Sequence, residues 1–449
     1  MALLGLGRLG RGGGVEGGHG FGIVAAHPFA WTPGLSSLPQ CAIYTLPGPG
    51  ERRVGALRRK VALLAARALL SANDRGLPAA MARALPGAQR YVEGALRRGG
   101  AAAVAQLLVP EVLTPLLALQ SGAIQTEQAL ASALPTLLYG LCAEGLGPED
   151  LLWDLPIAHL HHAGRVVSFS SPAAGLFLAG SAPQVRVLDQ SAPHSGQDLP
   201  WTTPFTPLGH GLSLAVWDKN PLSMLEEHPD KHGNALSLGG RDLDDWRAGL
   251  GAALSLIEQG LPAWLGELPD TLSRVIPVGF EPERHLSASY REAPGVAYLT
   301  LHPDPLTLAE AIVHEAQHSK LNLLSWLDAV LVNGRTTWTP SPVRPDLRPL
   351  MGVLLAVHAF VPVAALHAGL VAADHPLSRT GPFQRRRAEV LASNQRGVDV
   401  LKRLAEPTAI GQRLINELFA LHSALCDLSP ADHPPAELSE GVLEGPSMG

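Results

Sequence analysis

The chain has 449 residues, 46% of them hydrophobic and only 16% charged, with a net charge of −6. This suits a large packed protein of two or three domains, and the absence of a clustered basic stripe argues against a nucleic-acid-binding face. Cys41, Cys142 and Cys426 are odd in number and far apart, which argues for reduced thiols in a cytoplasm and against a disulfide framework or a cysteine-type zinc site.

Residues 1–20 are rich in Gly and carry Arg, without the apolar core and cleavage site of a secretory signal, and are expected to be disordered. An irregular arm follows, with Pro28, Phe29, Trp31 and Pro33. From residue 51 Ala, Leu and Arg dominate, and apolar residues recur three and four apart, as in Val61–Leu70 and Tyr91–Arg97. That period predicts amphipathic helices, making residues 21–146 a mainly helical N-terminal region. Pro86, Pro110, Pro115 and Pro135 are expected to break or kink them. No cluster of ligand-type side chains appears here. The region reads as a scaffold, or as a surface that holds a partner.

Residues 147–380 have a different texture. Short β-rich runs at Val166–Ser170, Gly175–Leu178, Val185–Leu188 and Leu212–Val216 alternate with Gly, Pro, Ser and Asp, as strands and hairpins do. His159, His161 and His162 precede the first run and read as surface histidines. Asp218–Pro221 and His228–Asn234 carry turn chemistry. Asp242 to Asp245 opens a long amphipathic helix that ends before Pro262, its acids suiting the positive end of the helix dipole. Val275–Phe280 and Gly295–Leu301 are expected strands. Between them His285, Ser287 and Ser289 alternate with Leu286, Ala288 and Tyr290. As a strand this puts three polar side chains on one face; the plain alternative is a solvated face.

The stretch that carries chemistry is Leu306–Leu324, which contains His314-Glu315-x-x-His318. On a helix the two imidazoles project from one face and can bind one metal ion, with Glu315 beside them as a base. Leu308, Ala311, Ile312 and Val313 before the motif, and Leu321, Leu323 and Leu324 after it, describe a mostly buried helix. Unsatisfied histidines there are costly; the plain alternative is a pair bonded to protein groups. A strand leading into such a helix is the layout of zincin-like domains, so the expected class is α+β: a helical N-terminal region plus a zincin-like metal-binding domain with a small antiparallel or mixed sheet.

A catalytic metal needs a third protein ligand. Leu321 and Leu324 occupy the positions where a metzincin has Gly and its third ligand, and no Glu lies between Glu315 and Glu389. This leaves Asp328, Asp346, His358, His367, Asp374 and His375. His358 is preferred, because it sits in the apolar run Gly352–Phe360 where a lone imidazole is costly. Asp328, on the expected continuation of the His314 helix, is second. Arg344 and Arg348, on the stiff Pro-rich segment 339–350, can clamp a carboxylate or simply pair with Asp346. Residues 351–373 lack charge and are long enough to span a bilayer, but His358, His367 and Pro362 point to a buried helix pair and no membrane. Residues 381–430 are expected as C-terminal helices and 431–449 as a disordered tail.

Asp218–Pro221, His228–Asp230, Arg284–Tyr290, His314–Asn322, Val343–Leu350 and Gly352–Phe360, taken in that order, resemble the HExxH-motif peptide-modification proteins. That family is described as α-ketoglutarate-dependent peptide β-hydroxylases of ribosomal peptide biosynthesis. The resemblance covers roughly residues 150–375. It implies Fe(II) held by His314, His318 and His358 and α-ketoglutarate on the open metal positions, with Arg344 or Arg348 on its distal carboxylate and Ser287 and Ser289 in the co-substrate site. The substrate would be a ribosomally made precursor peptide or another peptide, with the helical N-terminal region holding its leader peptide or a partner maturation enzyme. Three histidines depart from the usual two-histidine, one-carboxylate iron site, which keeps Asp328 open, and Glu315 would orient a ligand rather than act as a base. The competing expectation is a zinc peptidase in which Glu315 activates water and His285 or Tyr290 steadies the oxyanion. A non-catalytic peptide-binding protein with a structural metal is a third.

Overall fold

A computed structural model describes residues 45–47, 53–169, 174–179, 183–187, 194–225, 227–228, 231–340 and 347–428. The expectations for residues 1–20 and 431–449, for Arg344 and for Asp346 lie outside the described residues. The fold is mixed α+β with small sheets.

Four helices come first: α1 (Arg53–Ser71), α2 (Ala79–Leu107), α3 (Pro110–Ser121) and α4 (Thr126–Ala143). The apolar period explains them, since Val54, Leu57, Val61, Ala65 and Leu69 of α1 are all buried. The prolines behave differently from expectation. Pro110 opens α3, where a missing N–H is harmless, but the helices run on past Pro86, Pro115 and Pro135. The interruption in α2 is instead at Gly100, with φ 49° and ψ −120°, a conformation that suits a residue without Cβ.

The strands β1 (Leu151–Trp153), β2 (His159–His162), β3 (Arg165–Ser168), β4 (Ala174–Leu178), β5 (Gln184–Val187) and β6 (His194–Ser195) follow. β2 and β3 form a hairpin, and β1-β4-β5-β6 form a four-stranded sheet. Next come β7 (Phe205–Gly209), β8 (Leu212–Ala215), the short pair β9 (Glu227–His228) and β10 (Lys231–His232), α5 (Leu243–Gly260) and α6 (Leu268–Thr271). Asp242 caps α5 by accepting from the Asp245 N–H at 2.8 Å. Then β11 (Leu272–Phe280), β12 (Ser287–Ser289) and β13 (Gly295–Leu301) complete a five-stranded sheet in the order β12-β13-β11-β8-β7. β11 runs parallel to β13 and β8, while β12 and β7 are antiparallel edges.

The last part is α7 (Pro305–Ser325), the hairpin of β14 (Trp338–Pro340) and β15 (Leu347–Pro349), α8 (Leu350–Ala372), α9 (Gly381–Leu404) and α10 (Ala409–Asp427). α8 is one helix running through Pro362, not the expected pair. Pro362 cannot donate to the His358 carbonyl one turn earlier. An apolar window of α8 has a mean hydropathy of 2.0 and is 72% buried, wrapped by α5, α7, α9 and α10; it is a core helix by its packing.

The sheet separates two apolar clusters, as side-chain alternation requires. Ala297, Leu299 and Leu301 of β13 join the large cluster that runs from α1 to α10, and Val296 and Tyr298 join a small one on the other face. α7 lies on the large-cluster side. Its Lys320 is 1% exposed and donates to the Thr45 carbonyl at 2.8 Å and to Glu267 Oε2 at 2.9 Å.

Candidate metal centre

α7 begins abruptly after β13. The Asp304 carboxylate accepts from the Leu306 and Thr307 N–H groups at 3.1 and 3.3 Å, and Pro305 fills the first helical position. This fixes the phase of the helix so that Leu308, Ile312 and Val313 are buried in the core. His314 and His318 then share one side of it. Their ring centroids are 4.3 Å apart, with the planes at 89°. The Phe360 ring of α8 packs on His314 at 4.6 Å.

Both imidazoles are held neutral. Burial pushes His314 well below its usual range, His318 adds to this, and Glu310 opposes it. Burial also lowers His318, against the pull of Glu315. Neutral imidazole is the form that binds metal. Glu315 Oε1 accepts from Ser287 Oγ of β12 at 2.6 Å. Among the described residues neither Glu315 Oε2 nor His318 Nδ1 has a hydrogen-bond partner, although both are buried. Buried polar atoms are ordinarily satisfied. The His314–His318 pair, with an orphaned ring nitrogen on His318, supplies two donors that a divalent cation could take.

The third ligand is not assembled: among the described residues no group of three His, Cys, Asp or Glu side chains converges on a common point. His358 is 1% exposed on α8, and Phe360 of the same helix packs on the His314 ring. The other described candidates are engaged elsewhere. α7 stops at Ser325, so Asp328 is not on its continuation; Asp328 Oδ1 accepts from the Val330 N–H at 2.7 Å and from Thr408 Oγ1 at 2.6 Å. His367 bonds Glu310 at 2.8 Å, Asp374 pairs with Arg379, and His375 Nδ1 accepts from the Leu377 N–H at 3.2 Å.

A cavity of about 300 Å³ opens at His314, walled also by His285, Ser287, Glu310, Phe360 and Arg386. His285 Nδ1 lies 3.2 Å from Thr300 Oγ1. The strand expected over 283–290 is confined to Ser287–Ser289. Ser287 faces α7, and Ser289 lines a second cavity at the other end of β12. Tyr290 turns to the opposite face of the sheet. It packs on Tyr298, donates to the Ser223 carbonyl at 2.9 Å and accepts from Asn234 Nδ2 at 2.6 Å, so it is not brought together with His314. Arg348 sits on β15, paired in register with Thr339.

Two features escape the sequence reading. Glu310, one turn before His314, is bonded by Arg386 of α9 at 2.6 and 2.9 Å and by His367. Burial alone would raise its carboxyl; His367 and Arg386 outweigh burial and hold it low. The only signal was the four-residue spacing from His314. The second is a correction: of the 159–162 histidines, His161 is buried, while His159 and His162 are half-buried. His161 is buried between α3 and β11. Arg274 pairs with Glu111 and donates through Nη2 to His161 Nε2 at 3.3 Å. Because guanidinium only donates, the His161 proton is on Nδ1, 3.7 Å from Glu111 Oε2. His159 meets the Trp217 ring and His162 the Tyr139 ring, edge to face.

No family model and no curated protein matches this chain.

Proposed function

We propose that the chain is an Fe(II)- and α-ketoglutarate-dependent oxygenase that hydroxylates a β-carbon in a peptide, built on a zincin-like metal-binding domain. The observation that carries this reading is the neutral His314–His318 pair beside an edge strand, with a cavity of about 300 Å³ at His314. That volume is at the lower end of small-molecule sites, which run to roughly 1,000 Å³, and leaves room for a co-substrate at the metal. The ordered resemblance of residues 150–375 supplies the choice of iron and α-ketoglutarate.

Bound iron with its co-substrate would supply the oxidising chemistry. His314 and His318 hold the metal, and His358 is the proposed third ligand. Ser287 holds the Glu315 carboxylate in place, so that Glu315 orients groups at the metal. Arg386 joins Arg344 and Arg348 as a candidate for the co-substrate's distal carboxylate, because it lines the same cavity as His314. Among the described residues β12 has one sheet neighbour, β13, so an extended peptide can add along its other edge.

One observation favours zinc peptidase as the second reading. Glu315 Oε2 has no hydrogen-bond partner among the described residues, which suits a base that takes a proton from water. An anaerobic titration of Fe(II)-loaded protein with α-ketoglutarate, followed by visible absorption, separates the two. A charge-transfer band is expected. No band, together with zinc binding and peptide cleavage lost in Glu315→Gln, would replace the oxygenase by the peptidase.

A further inference from the structure

The second cavity, at the Ser289 end of β12, has a volume of about 710 Å³. Asn322, one turn of α7 or about 6 Å beyond His318, also lines it, as do Trp326 and the exposed apolar side chains Leu327 and Val332. Its charged walls are Arg291, Arg335 and Asp328. Asp328 already accepts from Val330 and Thr408. Arg291 lies 4.0 Å over the Trp326 ring, and its Nε and Nη2 donate to Ser325 Oγ and Ser325 O at 3.2 and 3.3 Å. Arg335 is exposed, and among the described residues no carboxylate pairs with it. Burial and the nearby Arg335 both disfavour the Arg291 charge, with Glu292 opposing them. The two guanidiniums share one concave surface, and an anion between them would relieve their repulsion.

We propose that this cavity takes a carboxylate of a peptide laid along β12, either an Asp or Glu side chain or the peptide's own C-terminus, two or three residues from the one held at His314 and His318. The spacing follows from strand geometry, since Ser287 and Ser289 are about 7 Å apart at roughly 3.3 Å per residue. The inference rests on the peptide-substrate reading above but not on the identity of the metal. It gives the substrate class as acidic peptides and makes Arg335 and Arg291 specificity-determining.

The test is calorimetric binding of capped nonapeptides to the full chain, with and without Zn²⁺. A single Asp is scanned against Asn through an Ala/Ser background, and a free-acid C-terminus is compared with an amide. At one position, or at the terminus, the carboxylate form is expected to bind about tenfold more tightly, and less so at high salt. Arg335→Glu, an exposed change, is expected to reduce the preference below about threefold and to favour Lys at that position instead. Equal affinity for Asp and Asn at every position together with no terminal preference, an undiminished preference in Arg335→Glu, or no binding of any peptide would overturn the proposal. Arg335-dependent discrimination by a protein that binds no metal would uphold it and remove the metal-centred reading, whereas metal binding without discrimination would do the reverse.

Discussion

Glu315 has two unequal oxygens: one is held by Ser287 and the other meets no described donor. That asymmetry was partly legible in the sequence. Four-residue spacing put His314 and His318 on one helical face, and alternation put Ser287 on one strand face with His285 and Ser289; that this face meets α7 came only from the structure. Contacts across long separations were not legible. Arg386 reaches Glu310 over 76 residues, and nothing in the run Arg385–Arg387 says which guanidinium finds that carboxylate. The third ligand is decided at this scale too. His358→Ala is expected to weaken Fe(II) or Zn²⁺ binding by more than about 100-fold, since a lost ligand should exceed the 10–100-fold cost of outer partners. Asp328→Ala is expected to leave it near wild type, because that carboxylate serves Val330 and Thr408. A titration with metal-competing dye giving the reverse order would move the ligand to Asp328.

Among elements, α7 is the one that everything else positions. Its apolar side meets the sheet, α5 and α8, and Lys320 pins it to Glu267 in the core. Breaking a buried ion pair from one side costs about 3–5 kcal/mol, whereas an apolar replacement of both partners is often near neutral. Lys320→Ala is therefore expected to lose that much stability in urea unfolding, and the double variant Lys320→Met with Glu267→Leu to recover most of it. Similar losses in both would show that the ammonium contributes through the Thr45 carbonyl rather than through the pair. The period of apolar residues revealed α7, α5 and β13 to within a residue or two. It misjudged α8, because prolines were read as breaks where tertiary packing holds the helix together, and it overextended β12, where Thr300 takes the Leu286 backbone N–H at 3.0 Å.

For the molecule as a whole, the change of texture at residue 146 marks a switch from helices to strands and not a gap in the core, which continues from α1 through the sheet to α10. Glu111, Arg274 and His161 close that junction. Burial drives the His161 pKa down to about 4 from 6.5, with Glu111 opposing and Arg274 reinforcing. Between those two values the unfolded chain takes up a proton that the folded chain refuses, so stability falls as pH drops through this window. The contribution is on the order of 3 kcal/mol. Urea midpoints at pH 7 and pH 4.5 should differ less in His161→Gln than in wild type, and parallel behaviour would remove His161 as the cause. The packing of α8 and α9 also has a consequence in time. α9 closes over α8 and brings Arg386 to the cavity at His314, so a chain still on the ribosome has made its two histidines long before it has made the chamber around them. A cation held by the proposed histidine pair would gain its full enclosure only once α9 has docked.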